Sequence, residues 1–199
     1  SSCQVDLVKD NNGYVYFIKH LRSTSAVSED YQVDSGLKLS DNWRNEQLAY
    51  QRVMACAILS VIMHKHNNGQ RACLHYQLHT LVAPQLVAKN PLLRRWLCIC
   101  LGKLWDGFDE AKRIALRDQV PKKLFPLLSD DFPDVRASCV YALSTLFGTN
   151  GSSSAENDML IMEQIRKTRR DCSTLVRSYL LLAMARLFFL PYHAKALQV

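Results

Sequence analysis

The chain has 199 residues, of which 48% are hydrophobic and 22% charged, with only seven glycines and six prolines. This apolar content can build a core, and the scarcity of chain breakers argues against a many-stranded β fold. The formal net charge of +7 predicts a basic surface that attracts acidic proteins, nucleic acid or anionic membranes, without choosing among them.

Neither a secretory leader nor a membrane span is evident. The most apolar run, Leu180 to Leu190, is interrupted by Arg186 and is far shorter than the ~20 residues that a span requires. The seven cysteines are an odd number scattered through apolar stretches, a usage typical of a reducing compartment. We therefore expect a soluble, cytoplasmic chain without membrane insertion. Because it starts at Ser1 without an initiator methionine and ends just after an apolar helix, we expect a fragment of a larger protein.

Two segments are predicted to be loops. Residues 23–45 are polar, lack a sustained apolar period and exceed the length of a usual turn between helices. Residues 149–155 include the sequence Thr-Asn-Gly-Ser-Ser-Ser, which is the composition of a flexible linker.

A repeat of about 42 residues is the strongest signal. Four apolar segments begin at arginines spaced 42, 42 and 41 residues apart, namely Arg52, Arg94, Arg136 and Arg177. Apolar or small residues follow each arginine at three, four, seven and ten positions, which is the buried stripe of an α-helix. A small residue eight positions after the arginine (Ser60, Gly102, Ser144, Ala185) would let a neighbouring helix approach closely. The pattern predicts inner helices near 48–64, 92–106, 133–147 and 173–190.

The segments between the inner helices are amphipathic. Residues 70–88, 109–128 and 156–169 are each long enough for one outer helix. Two helices in a period of this length are typical of HEAT or armadillo repeats. We therefore predict an all-α fold, a single right-handed α-solenoid segment covering residues 1–199. The repeated arginine should lie between repeats and pair with an acid such as Asp130, Asp131 or Asp134.

The residue pattern does not favour catalysis, a cofactor or a metal. Cys98 and Cys100 lie two apart on a helix and face different directions. His75 and His79 could share a face, but no third ligand stands at a matching offset. Phosphate-binding glycine loops and nucleophile elbows are absent from the sequence. We therefore predict no enzyme activity.

Basic residues are concentrated in the outer segments. They are Lys112, Arg113, Arg117, Lys122 and Lys123, followed by the run Arg166-Lys167-Thr168-Arg169-Arg170. A solvated face, a protein-binding ridge and a nucleic-acid surface are all possible. Nucleic acid is the least favoured, because interleaved aromatic residues or basic positions in register are not evident.

Several strings of residues resemble the Raptor family, the scaffold subunits of target-of-rapamycin complex 1. They are Cys3-Gln4-Val5-Asp6-Leu7-Val8-Lys9-Asp10-Asn11, Gly69-Gln70-Arg71-Ala72-Cys73-Leu74, Asn90-Pro91-Leu92-Leu93-Arg94-Arg95-Trp96, Leu101-Gly102-Lys103-Leu104-Trp105 and Lys123-Leu124-Phe125-Pro126-Leu127-Leu128-Ser129-Asp130, with Pro133-Asp134-Val135-Arg136. The resemblance covers residues 1–22 and about 46–147, and only the helical pattern remains similar beyond Gly148. The loop at 23–45 is longer than the family leads us to expect.

The resemblance implies a non-catalytic adaptor in nutrient signalling, taken from the middle of a solenoid. Proteins of this family bind the target-of-rapamycin kinase and Rag-type small GTPases and are recruited to the lysosomal or vacuolar surface. No family motif fixes the contact residues. We predict from repeat geometry that the starts of successive outer helices form the binding edge: Asn12 and Tyr14, Gln70 and Arg71, and Lys112 and Arg113.

The alternative is a generic helical-repeat protein that binds nucleic acid or another acidic partner through its outer helices. Binding to phosphates should weaken steeply as salt rises, whereas a protein interface with an apolar centre should weaken much less.

Overall fold

The computed structural model describes residues 13–22, 38–148 and 154–188. These ranges form ten α-helices and three 3-10 helices, and contain no β-strand. The α-helices are α1 (Gly13–Arg22), α2 (Lys38–Met63), α3 (Asn67–His75), α4 (Leu78–Val82), α5 (Pro91–Trp105), α6 (Asp109–Arg117), α7 (Val120–Leu124), α8 (Pro133–Ser144), α9 (Ser154–Arg166) and α10 (Thr174–Phe188). The 3-10 helices are Ala83–Val87, Phe125–Ser129 and Lys167–Arg170.

Four long helices form the centre of the stack. Helices α2, α5, α8 and α10 pack side by side in chain order, and the shorter helices lie between them in sequence. The predicted apolar stripe is buried in the first three, at Ala55, Cys56, Leu59, Ile62, Leu97, Cys98, Leu101, Leu104, Cys139, Val140, Leu143 and Leu146. In α10 the same stripe is partly open, because Leu181 is 67% exposed. The predicted all-α solenoid is confirmed.

Gly102 shows why a small residue recurs in the inner helices. A Cβ atom at this position would lie 2.5 Å from Cε1 of Tyr141 on α8, which is closer than real Cβ contacts allow. The glycine therefore lets the Tyr141 ring lie directly against α5. The predicted close approach of neighbouring helices is confirmed at this position.

The predicted single outer helices are wrong in the two complete repeats. The segment 70–88 is α3, α4 and a 3-10 helix, and the segment 109–128 is α6, α7 and a 3-10 helix. The breaks fall at Gln77 and Gln119, which both adopt a left-handed φ of 54°. Each amide there bonds a carbonyl of the preceding helix, Gln77 N to Leu74 O and Gln119 N to Leu116 O, which closes its last turn. With the inner helix, each of these repeats has three α-helices, which falls within the HEAT and armadillo range.

The predicted loops are shorter than expected. Helix α2 begins at Lys38, so residues 38–45 are helical, and α9 begins at Ser154, so the last two residues of the predicted loop 149–155 are helical. The remaining parts of both predicted loops, 23–37 and 149–153, lie outside the described residues. The inner helix α8 ends at Ser144, and residues 145–148 form a turn.

Buried arginine–aspartate pairs join successive repeats. Arg94 Nε and Nη2 donate to the two carboxylate oxygens of Asp130, at 2.7 and 2.9 Å. One repeat later, Arg136 donates in the same way to Asp171, at 2.7 and 2.8 Å. In each arginine Nη1 donates to two backbone carbonyls just before its own helix, those of Ala88 and Lys89 for Arg94. We call this repeated arrangement the arginine ladder.

The ladder confirms one of the predicted acidic partners and corrects the others. Asp130 pairs with the repeated Arg94. Asp131 gives only its backbone carbonyl to Arg136, and Asp134 lies 3.5 Å from the half-exposed Arg95. In both ladder pairs the arginine and aspartate side chains are largely buried. A bidentate, desolvated pair of this kind is strongly directional, so it specifies how one repeat is placed on the next.

Removing Asp130 should destabilise the stack. In an Asp130→Ala variant the Arg94 guanidinium stays buried without its carboxylate, and the Phe132 amide loses its acceptor on Asp130. We expect a loss of about 3 kcal/mol in the free energy of unfolding, measured by urea denaturation. The matched control is Asp131→Ala, because that side chain is exposed and its carbonyl is retained. Equal stability of the two variants would contradict the structural role of the ladder.

Stability should depend on pH through the same carboxylates. The Arg136 hydrogen bonds lower the pKa of Asp171 and outweigh the opposing effect of burial. A lowered folded-state pKa contributes stability above the unfolded value of about 3.9, and this contribution is lost as pH falls through the folded value. We expect the stability difference between the chain and an Asp171→Asn variant to be largest near neutral pH and to shrink on acidification. A constant difference across a pH series of urea titrations would refute this assignment.

Candidate protein-binding surface

The polar groups of the described segments do not gather into a metal centre. No group of three or more histidine, cysteine or acidic side chains there could hold a metal ion. His79 is buried and its Nε2 lies 3.2 Å from Oδ2 of Asp118, whereas His75 is exposed, so the two histidines have separate surroundings. Burial raises the pKa of the Cys73 and Cys139 thiols, which is the opposite of what a reactive cysteine needs.

None of the helices in the described ranges combines the length and the apolar character needed to cross a bilayer.

Two of the predicted binding residues have structural roles. Gln70 is 1% exposed, and its Nε2 donates to the carbonyls of Lys103 and Asp106, both at 2.9 Å. Lys112, one repeat later, is 7% exposed, and its Nζ donates to the carbonyl of Phe147 at 3.0 Å. Each residue therefore satisfies carbonyls at the end of the next inner helix or in the turn that follows it, which would otherwise lack partners. This corrects their predicted placement on an exposed edge.

The residues next to them in sequence are on the surface. Arg71 and Arg113 are exposed, and neither forms an ion pair with any residue that the structure describes. They occupy the same position of consecutive repeats, each as the fifth residue of its helix, α3 or α6. Because Gln70 and Lys112 fix the two helix starts against the following repeat, the two guanidinium groups are presented from a rigid support.

The first pair of predicted residues is only partly described. Asn12 lies outside the described residues. Tyr14 is half-buried, with its ring in an edge contact with Tyr76 at a centroid distance of 5.7 Å. Burial raises the pKa of the Tyr14 hydroxyl, and the neighbouring Tyr76 adds to this effect. Tyr14 therefore joins α1 to the outer helices and contributes only part of its surface to the edge.

A groove of about 510 Å³ was missed by sequence reasoning. It lies at the ends of the inner helices and is lined by residues that include Asp106, Lys112, Tyr141, Tyr179 and Arg186. Lys103 Nζ and Arg186 Cζ lie 5.5 and 5.6 Å from the centre of the Tyr141 ring, within the range of cation–π attraction. The sequence does place a cation nine residues after two of the repeated arginines, at Lys103 and Arg186. This spacing predicts a shared groove only once the structure shows that the ends of these helices lie close together.

Comparison with known proteins shows what this chain resembles. No protein-family model matches it. "Regulatory-associated protein of TOR 2" of Oryza sativa subsp. japonica is 36% identical over 204 residues, which cover 93% of this chain and 13% of that protein. "Target of rapamycin complex 1 subunit mip1" of Schizosaccharomyces pombe is 35% identical over 147 residues, 74% of this chain and 10% of that protein. The crystal structure of Chaetomium thermophilum Raptor matches with a TM-score of 0.79 and 30% identity, over 98% of this chain and 17% of that one.

The fold and its inter-repeat contacts define an α-solenoid of HEAT or armadillo type. Within that class, sequence and structure point to the same family. The resemblance predicted from the sequence is confirmed, and the chain is a homologue of the helical-repeat region of Raptor. It spans 13% and 10% of the two curated relatives, so it corresponds to a limited part of each.

The reassignment of Gln70 can be tested against its neighbour. A Gln70→Leu variant leaves two carbonyls at the end of α5 without their donor, and each buried unsatisfied group costs about 1–3 kcal/mol. We expect a lowered free energy of unfolding in chemical denaturation. Arg71→Leu, in the adjacent exposed position, should change it by no more than about 0.5 kcal/mol. If Arg71→Leu were the more damaging change, the two roles would have been assigned in the wrong order.

Proposed function

We propose that this chain is a non-catalytic scaffold segment of target of rapamycin complex 1, which binds the kinase and Rag-type small GTPases in nutrient signalling. Its place of action is the cytoplasm, with recruitment of the complex to the lysosomal or vacuolar surface. The names of the relatives support this proposal, since they describe a regulatory protein and a complex subunit. The proposal concerns the solenoid segment alone.

The proposal rests on an exposed arginine that recurs at the equivalent position of two consecutive repeats. Arg71 and Arg113 lie at equivalent exposed positions, each beside a buried residue that bonds the next inner helix. A partner that contacts both would bind two guanidinium groups carried on helices at a fixed separation. Because the helices that carry them are already fixed, binding has to order only the two side chains and no backbone segment, which favours affinity.

Charge complementarity supports a partner with an acidic contact surface. The chain carries a formal net charge of +7, and Arg71 and Arg113 add positive potential to the outer edge. Opposite potentials raise association rates and reject partners of like charge. Arginine is also enriched at protein interfaces, because its planar guanidinium binds carboxylates through paired hydrogen bonds.

Reversing the two edge charges should abolish partner binding. We expect a chain with Arg71→Glu and Arg113→Glu to lose co-precipitation of the target-of-rapamycin kinase, of Rag-type GTPases, or of both. Both sites are exposed, so the fold should be retained, and circular dichroism would check this. The control is Lys122→Glu with Lys123→Glu, which reverses two exposed charges on α7 that are not part of the edge. Undiminished capture of both partners by the edge variant would refute the proposal.

A salt titration would separate this proposal from nucleic-acid binding. Contacts to phosphates release counterions, so affinity for DNA or RNA should fall by orders of magnitude with rising salt. Binding of a protein with an apolar centre should fall far less.

A further inference from the structure

The third outer corner carries a dense basic patch. Arg166, Lys167, Arg169 and Arg170 lie at the end of α9 and in the following 3-10 helix, and all four are exposed. We call these four residues the basic corner. Together with Glu163 they line a groove of about 330 Å³. Four cations within five residues repel one another, so the arrangement is unfavourable unless counter-charges are supplied.

Glu163 offsets one of the four charges, but the structure records no ion pair to any of the four within the described ranges. None of the four side chains lies within 4.0 Å of a carboxylate oxygen there, and Lys167 Nζ instead contacts the neutral Gln164 Oε1 at 2.6 Å. The adjacent carboxylate, Asp171, is already held by Arg136 in the arginine ladder. The basic corner therefore faces solvent with an excess of positive charge.

The fold does not require these charges. The equivalent corners of the two preceding repeats are the 3-10 helices Ala83–Val87 and Phe125–Ser129, whose sequences APQLV and FPLLS contain no charged residue. At the third corner the buried side chain is Thr168, whose hydroxyl donates to Ile165 O at 2.8 Å. Thr168 and Asp171 hold the corner in place, and the four cations project from it without a structural role.

We infer that the basic corner is a docking site for an acidic segment of a partner protein. The four side chains line a concave groove, which an extended acidic peptide can enter and a bilayer surface cannot. The groove is lined by no aromatic side chain, so bases would find no stacking surface. The 3-10 helices of the two preceding corners carry no charged residue, so the corners do not form a basic track that repeats in register along the stack. Carboxylate side chains offer bidentate acceptors to the three guanidinium groups.

The site is separate from the edge formed by Arg71 and Arg113, and it does not depend on the proposed function. It differs in residues and in repeat, so variants of one leave the other unchanged. Loss of binding in the basic-corner variants alone would concern only this inference.

The test is titration of the intact chain with a fluorescein-labelled hexaglutamate peptide, followed by fluorescence anisotropy. We expect saturable binding that an Arg169→Gln, Arg170→Gln double variant weakens about tenfold, as the loss of two partly solvated ion pairs requires. The control variant, Lys122→Gln with Lys123→Gln, removes the same charge from exposed α7 and should bind like the unmodified chain. A hexaglutamine peptide should not bind.

The remaining outcomes would overturn the inference. They are equal weakening in both variants, absence of peptide binding, or tighter binding of oligothymidylate or of phosphatidylserine-containing vesicles than of the peptide, with the same dependence on Arg169 and Arg170. Thermal unfolding followed by circular dichroism would verify that both variants remain folded. Neither variant touches Thr168 or Asp171, so the corner itself is preserved.

Discussion

A buried arginine that bonds two repeats at once fixes the geometry of this stack. Through Nη1, Arg94 is tied to the carbonyls before its own helix, and through Nε and Nη2 it is tied to Asp130 of the next repeat. Arg136 repeats the arrangement with Asp171. Burial of leucine and cysteine side chains supplies most of the driving force, but it is non-directional. The paired hydrogen bonds therefore specify the angle and register at which apolar faces meet.

A second set of contacts carries this register to the outer surface. Gln70 and Lys112 reach from the outer helices to carbonyls at the ends of the following inner helices. Burial lowers the pKa of Lys112, and the nearby Asp109 opposes this effect. Its ammonium group contacts the Phe147 carbonyl at 3.0 Å and the Asp109 carboxylate at 3.8 Å. The exposed residues beside them, Arg71 and Arg113, therefore have fixed backbone positions. Of two adjacent residues, one therefore holds the repeats together and the other is exposed on the outer edge.

Repetition explains which features could be predicted from the sequence. The period, the apolar stripe and the arginine recur in several copies. Their repetition distinguishes residues that the fold requires from residues that match by chance. The breaks at Gln77 and Gln119 could not be predicted, because glutamine has no preference for the left-handed conformation and only packing imposes it. The roles of Gln70 and Arg71 were equally hidden, since the acceptors of Gln70 lie more than thirty residues away in sequence.

Differences between repeats locate binding better than their similarities do. Positions that stacking requires recur from repeat to repeat, as the buried stripe of α2, α5 and α8 and the ladder residues Arg94 and Arg136 do. A charged residue that appears at one corner and is absent from its equivalents is not needed for stacking, because the other corners fold without it. Retaining four like charges there weakens the isolated fold slightly through repulsion. Since stacking gives no compensation for that cost, a partner that neutralises the charges is the physical reason for keeping them.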